Sequence, residues 1–426
     1  MKIYNNPAKE DWQEIIQRPA MDTATLIGKV APILAAVKAN GDEALRSFSK
    51  QFDGVELSSL QATAEEIAAA SAMVSEALKT AMQQAAKNIR TFHEAQLQPE
   101  QKIETMPGVR CWRKSVGVEK VGIYIPGGTA PLFSTVLMLA IPANIAGCKE
   151  IVLCTPPQKD GSIPPAILYA AQLTGITKII KIGGAQAIAA LAYGTESVPK
   201  VFKIFGPGNQ YVTAAKQLVQ QDGLAIDMPA GPSEVCVMAD ETAIPEFVAA
   251  DLLSQAEHGP DSQVLLVASS GEVVQEVQLA LEKQLALLPR KDFAAKALKN
   301  SRAVVFENLD DAIELVNLYA AEHLIISMKD ETAIADKIMN AGSIFLGNYS
   351  PESVGDYASG TNHTLPTNGN AAMYSGVSVD SFVKKITVQQ LTETGLKNIS
   401  STVIAMAKAE GLQAHANAVR VRLTNL

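Results

Sequence analysis

Apolar residues recur at helical spacing through most of the first 115 positions. TATLIGKVAPILAAVKANGDEALRSFSKQF and AEEIAAASAMVSEALKTAMQQAAKNIRTFHEAQ each put them on one face, and Gly41 and Asp42 punctuate the first run. This predicts a helical N-terminal region over 1–115, packing with the second of the two blocks described next. From Val116 the pattern changes. VGVEKVGIYIP is β-rich and stops at Gly127 and Gly128. PLFSTVLMLAIPANIAG, starting at Pro131, reads as a buried helix. EIVLCTPP, KIIKIGG and KVFKIFGPGN read as short apolar strands. AILYAAQLTG, AQAIAALAYG and YVTAAKQLVQQ read as the helices between them. Strand–turn–helix repetition with apolar strands predicts a parallel sheet covered on both faces.

A second alternating block opens near Ser233 with EVCVMAD and PEFVAADLLSQAEHG and closes with LIISM and AIADKIMNAG. The predicted class is α/β, with two Rossmann-like parallel-sheet domains at 116–232 and 233–375. Their similar size hints at a duplication, although no residue-level repeat is visible. GNYSPESVGDYASGTNHTLPTNGNAAMYSG then breaks all periodicity, which marks a long functional loop. Residues 376–426 return to a helical pattern with too little apolar surface for a core of their own. They read as an extended helical tail that must dock elsewhere, a dimerisation tail.

Composition narrows the functional classes. Lys and Arg number 36 against 44 Asp and Glu, a net charge of −8, so the basic stripe that nucleic acid requires is lacking. The opening MKIYNNPAKEDW has no apolar signal region, and the longest apolar stretch is interrupted by Ser134, Thr135, Pro142 and Asn144. These features point to a cytoplasmic protein that does not enter a membrane. Cys111, Cys148, Cys154 and Cys236 form no CxxC pair and read as reduced, packed thiols.

The candidate chemistry gathers around histidine. There are five, and four sit in unusual settings. His258 ends a helix three residues after Gln255, so the two share a helix face. His323 follows Glu322 at a helix-to-strand junction. His363 lies in the aperiodic loop, seven residues after Asp356. His415 follows Glu410 by five, and both can serve one site if Gly411 breaks the helix. His93 is expected at the surface. HExxH is absent, but Gln255, His258, Asp356 and His415 would make a mixed N/O donor set suited to Zn²⁺ or a neighbouring divalent ion. GxGxxG is also absent. Gly206-Pro207-Gly208-Asn209 and the Gly127-Gly128 turn can meet a phosphate or be plain tight βα turns.

Taken together, the blocks DEALRSFSKQFD, VGIYIPGGTAPLFSTVLMLAIPA, IGGAQAIAALAYGTESVPKV, IDMPAGPSEV, DLLSQAEHGPDSQV, EHLII, AGSIFLGNYSPESVGDYASGTNHTLPT and GLQAHANAVRVR closely resemble the histidinol dehydrogenase family, almost end to end. The resemblance implies oxidation of L-histidinol to L-histidine through the aldehyde, with two NAD reduced per turnover and one Zn²⁺ per subunit. It implies Gln255, His258, Asp356 and His415 as zinc ligands and Glu322 and His323 as the acid–base pair. Ser233, His363 and Glu410 would join His323 and the zinc ligands around the substrate. Tyr124, Gln186 and Asn209 would contact NAD. It also implies a homodimer with exchanged tails, so that Glu410 and His415 complete the partner's site.

The residue types suit that chemistry. An imidazole can take the hydroxyl proton while hydride leaves. The aldehyde must then gain water before a second hydride can go, and Glu322 can activate it. No Cys lies beside these motifs, which favours water over a thiohemiacetal. Zinc would chelate the imidazole and amine of histidinol and anchor the substrate. Two other classes remain open. A zinc-dependent hydrolase would use the same ligands with Glu322 as base and no NAD. A two-lobed binding protein would be expected to lose Glu322 and His323.

Overall fold

The computed structural model describes residues 1–19, 23–127, 131–229 and 231–425. Two parallel sheets organise the chain. The first has five strands, in the order Lys178–Ile180, Glu150–Cys154, Lys120–Tyr124, Lys203–Phe205, Ala225–Ile226. Numbered along the chain from Lys120, that order is 3-2-1-4-5, a doubly wound sheet without its sixth strand. The second sheet runs Lys2–Asn5, Arg302–Val305, Gln263–Ala268, Glu234–Ala239, His323–Ser327, Ser343–Leu346. Numbered from Glu234 it repeats 3-2-1-4-5, with Lys2–Asn5 added at one edge. The duplication suggested by block size is thus visible as topology.

Short Val/Ile-rich strands followed by Gly- or Pro-bounded helices produce this arrangement, because parallel strands need helical crossovers on both faces. Helix Phe133–Ile145 buries every residue from Ser134 to Ala143. It is held between the first sheet and helix Glu76–Glu94. Among the described residues, no helix is long and apolar enough to cross a membrane.

The N-terminal helices depart from expectation. Thr23–Phe48 packs on Gly184–Tyr193 and Gln210–Gln221. Ala64–Met73 packs on Pro165–Leu173, and Glu76–Glu94 on Phe133–Ile145. They cover the first sheet, not the second, because the first sheet's helices Phe133–Ile145, Pro165–Leu173 and Gly184–Tyr193 are apolar on most faces and need a second layer. Among the described residues before Thr23, Lys2–Asn5 joins the second sheet as its edge strand and the short helix Trp12–Ile15 packs on it. His93 is also corrected. It is fully buried and continues the stripe of Met82, Ala85 and Ile89. Its Nδ1 lies 2.8 Å from Ile89 O, and burial lowers its pKa.

A third, antiparallel sheet joins segments read as helical. Val383–Leu391 pairs with Val109–Gly117, which pairs with Ile103–Met106. The tail therefore starts as a strand. Its helices Glu393–Ala409 and Gln413–Thr424 pack on each other and bury only Gly395, Ala407 and Ala416. Gly411 separates them with φ of +74°.

Candidate active site

Two clefts meet between the sheets. The first, about 940 Å³, lies at the carboxyl ends of Lys120–Tyr124 and Lys203–Phe205, where the strand order reverses. Tyr124, Gln186 and Asn209 all line it. Tyr124 ends its strand, and its hydroxyl accepts from Gly184 N at 3.1 Å. Burial pushes its pKa up to about 12, so it stays a neutral phenol. Asn209 caps helix Gln210–Gln221, accepting from Tyr211 N and Val212 N. Gly206 has φ of +126°, and a Cβ there would sit 2.1 Å from Tyr124 O, so no other residue fits. A buried Lys216–Asp227 ion pair holds this loop from beneath. Lys216 Nζ donates to Gly206 O at 3.0 Å, and Gly206 N donates to Asp227 at 2.8 Å. Of the Gly127-Gly128 turn after Lys120–Tyr124, Gly127 lines this cleft and Gly128 lies outside the described residues.

The second cleft, about 490 Å³, lies at the amino ends of Glu234–Ala239 and His323–Ser327. Ser233, Gln255, His258, Glu322, His323, Asp356 and His363 converge on it. Pro126 and Asn209 line both clefts, so the two adjoin. Glu410 and His415 are not among its walls; both are exposed on the tail.

The Glu234 peptide fixes the central pair. Its N–H donates to Glu322 Oε2 at 2.9 Å, and its carbonyl lies 3.1 Å from His323 Nδ1. Arg18 forks onto the Glu234 carboxylate at 2.7 and 2.9 Å, anchoring that peptide. His323 Nε2 faces Asp356 Oδ1 at 3.1 Å. Burial alone would lower the His323 pKa, but the Glu322 and Asp356 carboxylates outweigh it and push it up to about 10. Burial raises Glu322 to about 8, with His323 pulling the other way. Asp356 falls below its ordinary value: burial would raise it, and His323, His363 and His258 together pull it down. His258 is exposed at the cleft mouth, yet crowding of its ring lowers its pKa despite Asp356. Burial also lowers His363, whose Nδ1 lies 2.7 Å from Asp356 O and Nε2 3.0 Å from Thr135 Oγ1. Neutral imidazoles can bind a metal or a substrate cation.

A histidinol dehydrogenase family profile matches residues 16–423. Histidinol dehydrogenase of Bacteroides thetaiotaomicron is 59% identical over 426 residues, 100% of both chains. That of Escherichia coli is 54% identical over 426 residues, covering 99% of this chain and 97% of the relative. The crystal structure of histidinol dehydrogenase from Elizabethkingia anophelis superposes with TM-score 0.98 at 55% identity, covering 100% of this chain and 98% of that one. The chain belongs to the histidinol dehydrogenase family. By its name, the family comprises oxidoreductases that act on histidinol.

The zinc that the family resemblance implies can be tested against the donors present. Gln255 Oε1 is buried with no hydrogen-bond partner, on a side chain whose Nε2 faces Asp356 in the cleft that His258 lines. These three oxygen and nitrogen donors fit a borderline divalent ion. No three His, Cys, Asp or Glu side chains among the described residues form a metal cluster by themselves. One donor here is an amide oxygen, and His415, the fourth expected ligand, is exposed on the tail and does not line this cleft.

Several residues of the site escaped the sequence reading. Thr135 holds His363, and its polarity inside an apolar helix was the available signal. Glu234 and Arg18 form the support for Glu322 and His323. Glu352, 1% exposed, stands in the cleft wall beside Gln255; nothing in PESVGD marks it as buried.

Proposed function

We propose that this protein oxidises L-histidinol to L-histidine through the aldehyde, delivering two hydrides to NAD at a zinc-anchored, two-subunit site. The observation that carries this reading is the adjoining of the clefts. The Glu322–His323 pair and three ligand-type side chains share Pro126 and Asn209 with a dinucleotide-sized cleft at the first sheet's switch point.

His323 would donate through Nδ1 to Glu234 O, and once a cation takes up the Asp356 carboxylate that helps hold its pKa near 10, the ring can give up its second proton and carry a lone pair on Nε2. That atom takes the substrate hydroxyl proton. Engagement of Asp356 by a cation frees Nε2 from its present contact. Glu322 then takes a proton from the water that adds to the aldehyde, giving the hydrate with a second hydride to lose. His363, held by Thr135, and Ser233 orient the substrate. NAD, when bound, supplies the hydride acceptor. Zinc, when bound, supplies a fixed positive charge for the imidazole and amine nitrogens of histidinol. Tyr124, Gln186 and Asn209 line the cleft in which NAD would lie. His415 and Glu410, exposed on a thinly buried tail, reach the site of a partner subunit in a two-fold dimer.

The test is the absorbance of reduced nicotinamide on mixing protein, NAD and L-histidinol. Two NADH should form per histidinol, none after chelation, and turnover should return with Zn²⁺. Full turnover in metal-free protein, or no NADH with zinc present, would contradict the reading.

A further inference from the structure

We infer that Glu352 is a positioning residue that fixes the amide of Gln255 so that only its oxygen can meet a metal ion. The inference rests on the zinc reading above. Gln255 sits in the last turn of helix Pro245–Ala256, and Glu352 opens helix Glu352–Tyr357. Glu352 and Asp356 are four apart on that short helix and so share a face. Gln255 Nε2 lies 3.2 Å from Glu352 Oε1 and 3.4 Å from Asp356 Oδ2.

A primary amide offers two different edges. Only the NH₂ edge can face two carboxylates, because an oxygen there would meet acceptors alone. The amide is therefore locked in one of its two orientations, and Oε1 is left buried and without a partner. Ser254 Oγ donates to Glu352 Oε1 at 2.5 Å and Ser353 Oγ at 3.3 Å, so the oxygen that meets the amide is itself held, while Oε2 is buried without a partner. Asp356 cannot do this alone, since it also faces His323 Nε2 at 3.1 Å and is an expected ligand. Glu352 is the acceptor left to hold the amide when Asp356 turns to the ion. Supports of this kind typically change metal affinity about 10- to 100-fold.

The experiment uses full-length protein and zinc alone, read by competition with a chromophoric chelator. Glu352→Gln presents an amide that can donate or accept, so Gln255 loses its single orientation. Zinc binding should weaken by roughly 10- to 100-fold. The ligand-field absorption of Co²⁺ in the same site should change as well. Zinc affinity within twofold of the unaltered protein, or weaker binding with an unchanged cobalt spectrum, would overturn the inference. If Glu352→Gln does not fold, Ser254→Ala loosens the same carboxylate and should weaken zinc several-fold; no change there would overturn it equally. Failure of the unaltered protein to bind zinc would remove the zinc reading itself, a different result from equal binding by both proteins.

Discussion

The two parallel sheets share one strand order and are used at opposite ends. In the first, the cleft opens at the carboxyl ends beside Tyr124 and Gly206, as expected for a doubly wound sheet. In the second, the reactive groups stand at the amino ends, where Ser233, Glu322 and His323 lead into their strands. The second sheet's own switch point is closed. Asp240 accepts from Thr242 N and Oγ1 and from Lys329 N, and the cavity at that end is only about 60 Å³. The duplicated topology therefore did not duplicate a site. One copy carries the crevice in which we propose that NAD lies. The other turns its strand starts towards that crevice and brings Glu322 and His323 beside it. Strand order alone does not say which end of a sheet works; side chains placed at the ends decide it.

The sharpest way to break this division is to disable the second sheet's chemistry. His323→Asn should lower kcat on the order of a thousandfold for histidinol, measured as NADH formation. Glu322→Gln should slow oxidation of the aldehyde more than oxidation of the alcohol, with each supplied separately. Equal losses in both steps would contradict the assignment of water activation to Glu322.

A next test concerns the tail. Subunits carrying His323→Asn and subunits carrying His415→Ala should each be inactive. After subunit exchange, one of the two composite sites collects both defects and the other is intact, so the heterodimer should regain about half of full activity. No recovery despite demonstrated exchange would place His415 in its own chain's site.

The first sheet should respond through stability and cofactor binding. Lys216→Met leaves Asp227 buried without its cation, a change that costs about 3–5 kcal/mol in comparable sites. Denaturant unfolding would measure it. The Gly206 loop loses its clamp, so KM for NAD should rise while zinc content is kept. Unchanged stability would show that the pair does not support the loop.

The smallest expected effect is a pH dependence at Asp53, which lines the first cleft with Oδ2 buried and unpartnered. Burial raises its pKa from 3.8 to about 6. An acid raised on folding favours the folded state below its unfolded value and loses that advantage as pH rises through the folded one. Asp53→Asn should therefore be more stable than the parent above about pH 6 and equal to it near pH 4. Because the side chain is partly solvated, the gain is on the order of 1 kcal/mol. A gain that grows as pH falls would contradict the cause.

Much of this arrangement was legible in the chain, because it depends on local patterns. Strand–turn–helix repetition from Val116 onward foretold parallel sheets, and the helix ends beside His258 and His323 singled out side chains that the fold brings into one cleft. What escaped depends on distant partners. Val383–Leu391 becomes a strand only by pairing with Val109–Gly117. His93 follows the buried stripe of its helix, but reading it by polarity alone put it outside. Thr23–Phe48, two helical runs joined at a kink at Gly41, is amphipathic, yet amphipathicity does not name the surface it covers. Glu352 stands in a Ser- and Gly-rich stretch and is buried only because two helices meet there.

If the two sheets hold separate ligands across one seam, the two ligands can be lost one at a time. The most direct measurement is NAD affinity by calorimetry together with zinc content, on Gln186→Ala and His258→Ala. Gln186→Ala should weaken NAD by roughly tenfold and keep its zinc, while His258→Ala should lose zinc and bind NAD within about twofold of the parent. Loss of zinc from Gln186→Ala, or loss of NAD binding from His258→Ala, would contradict it.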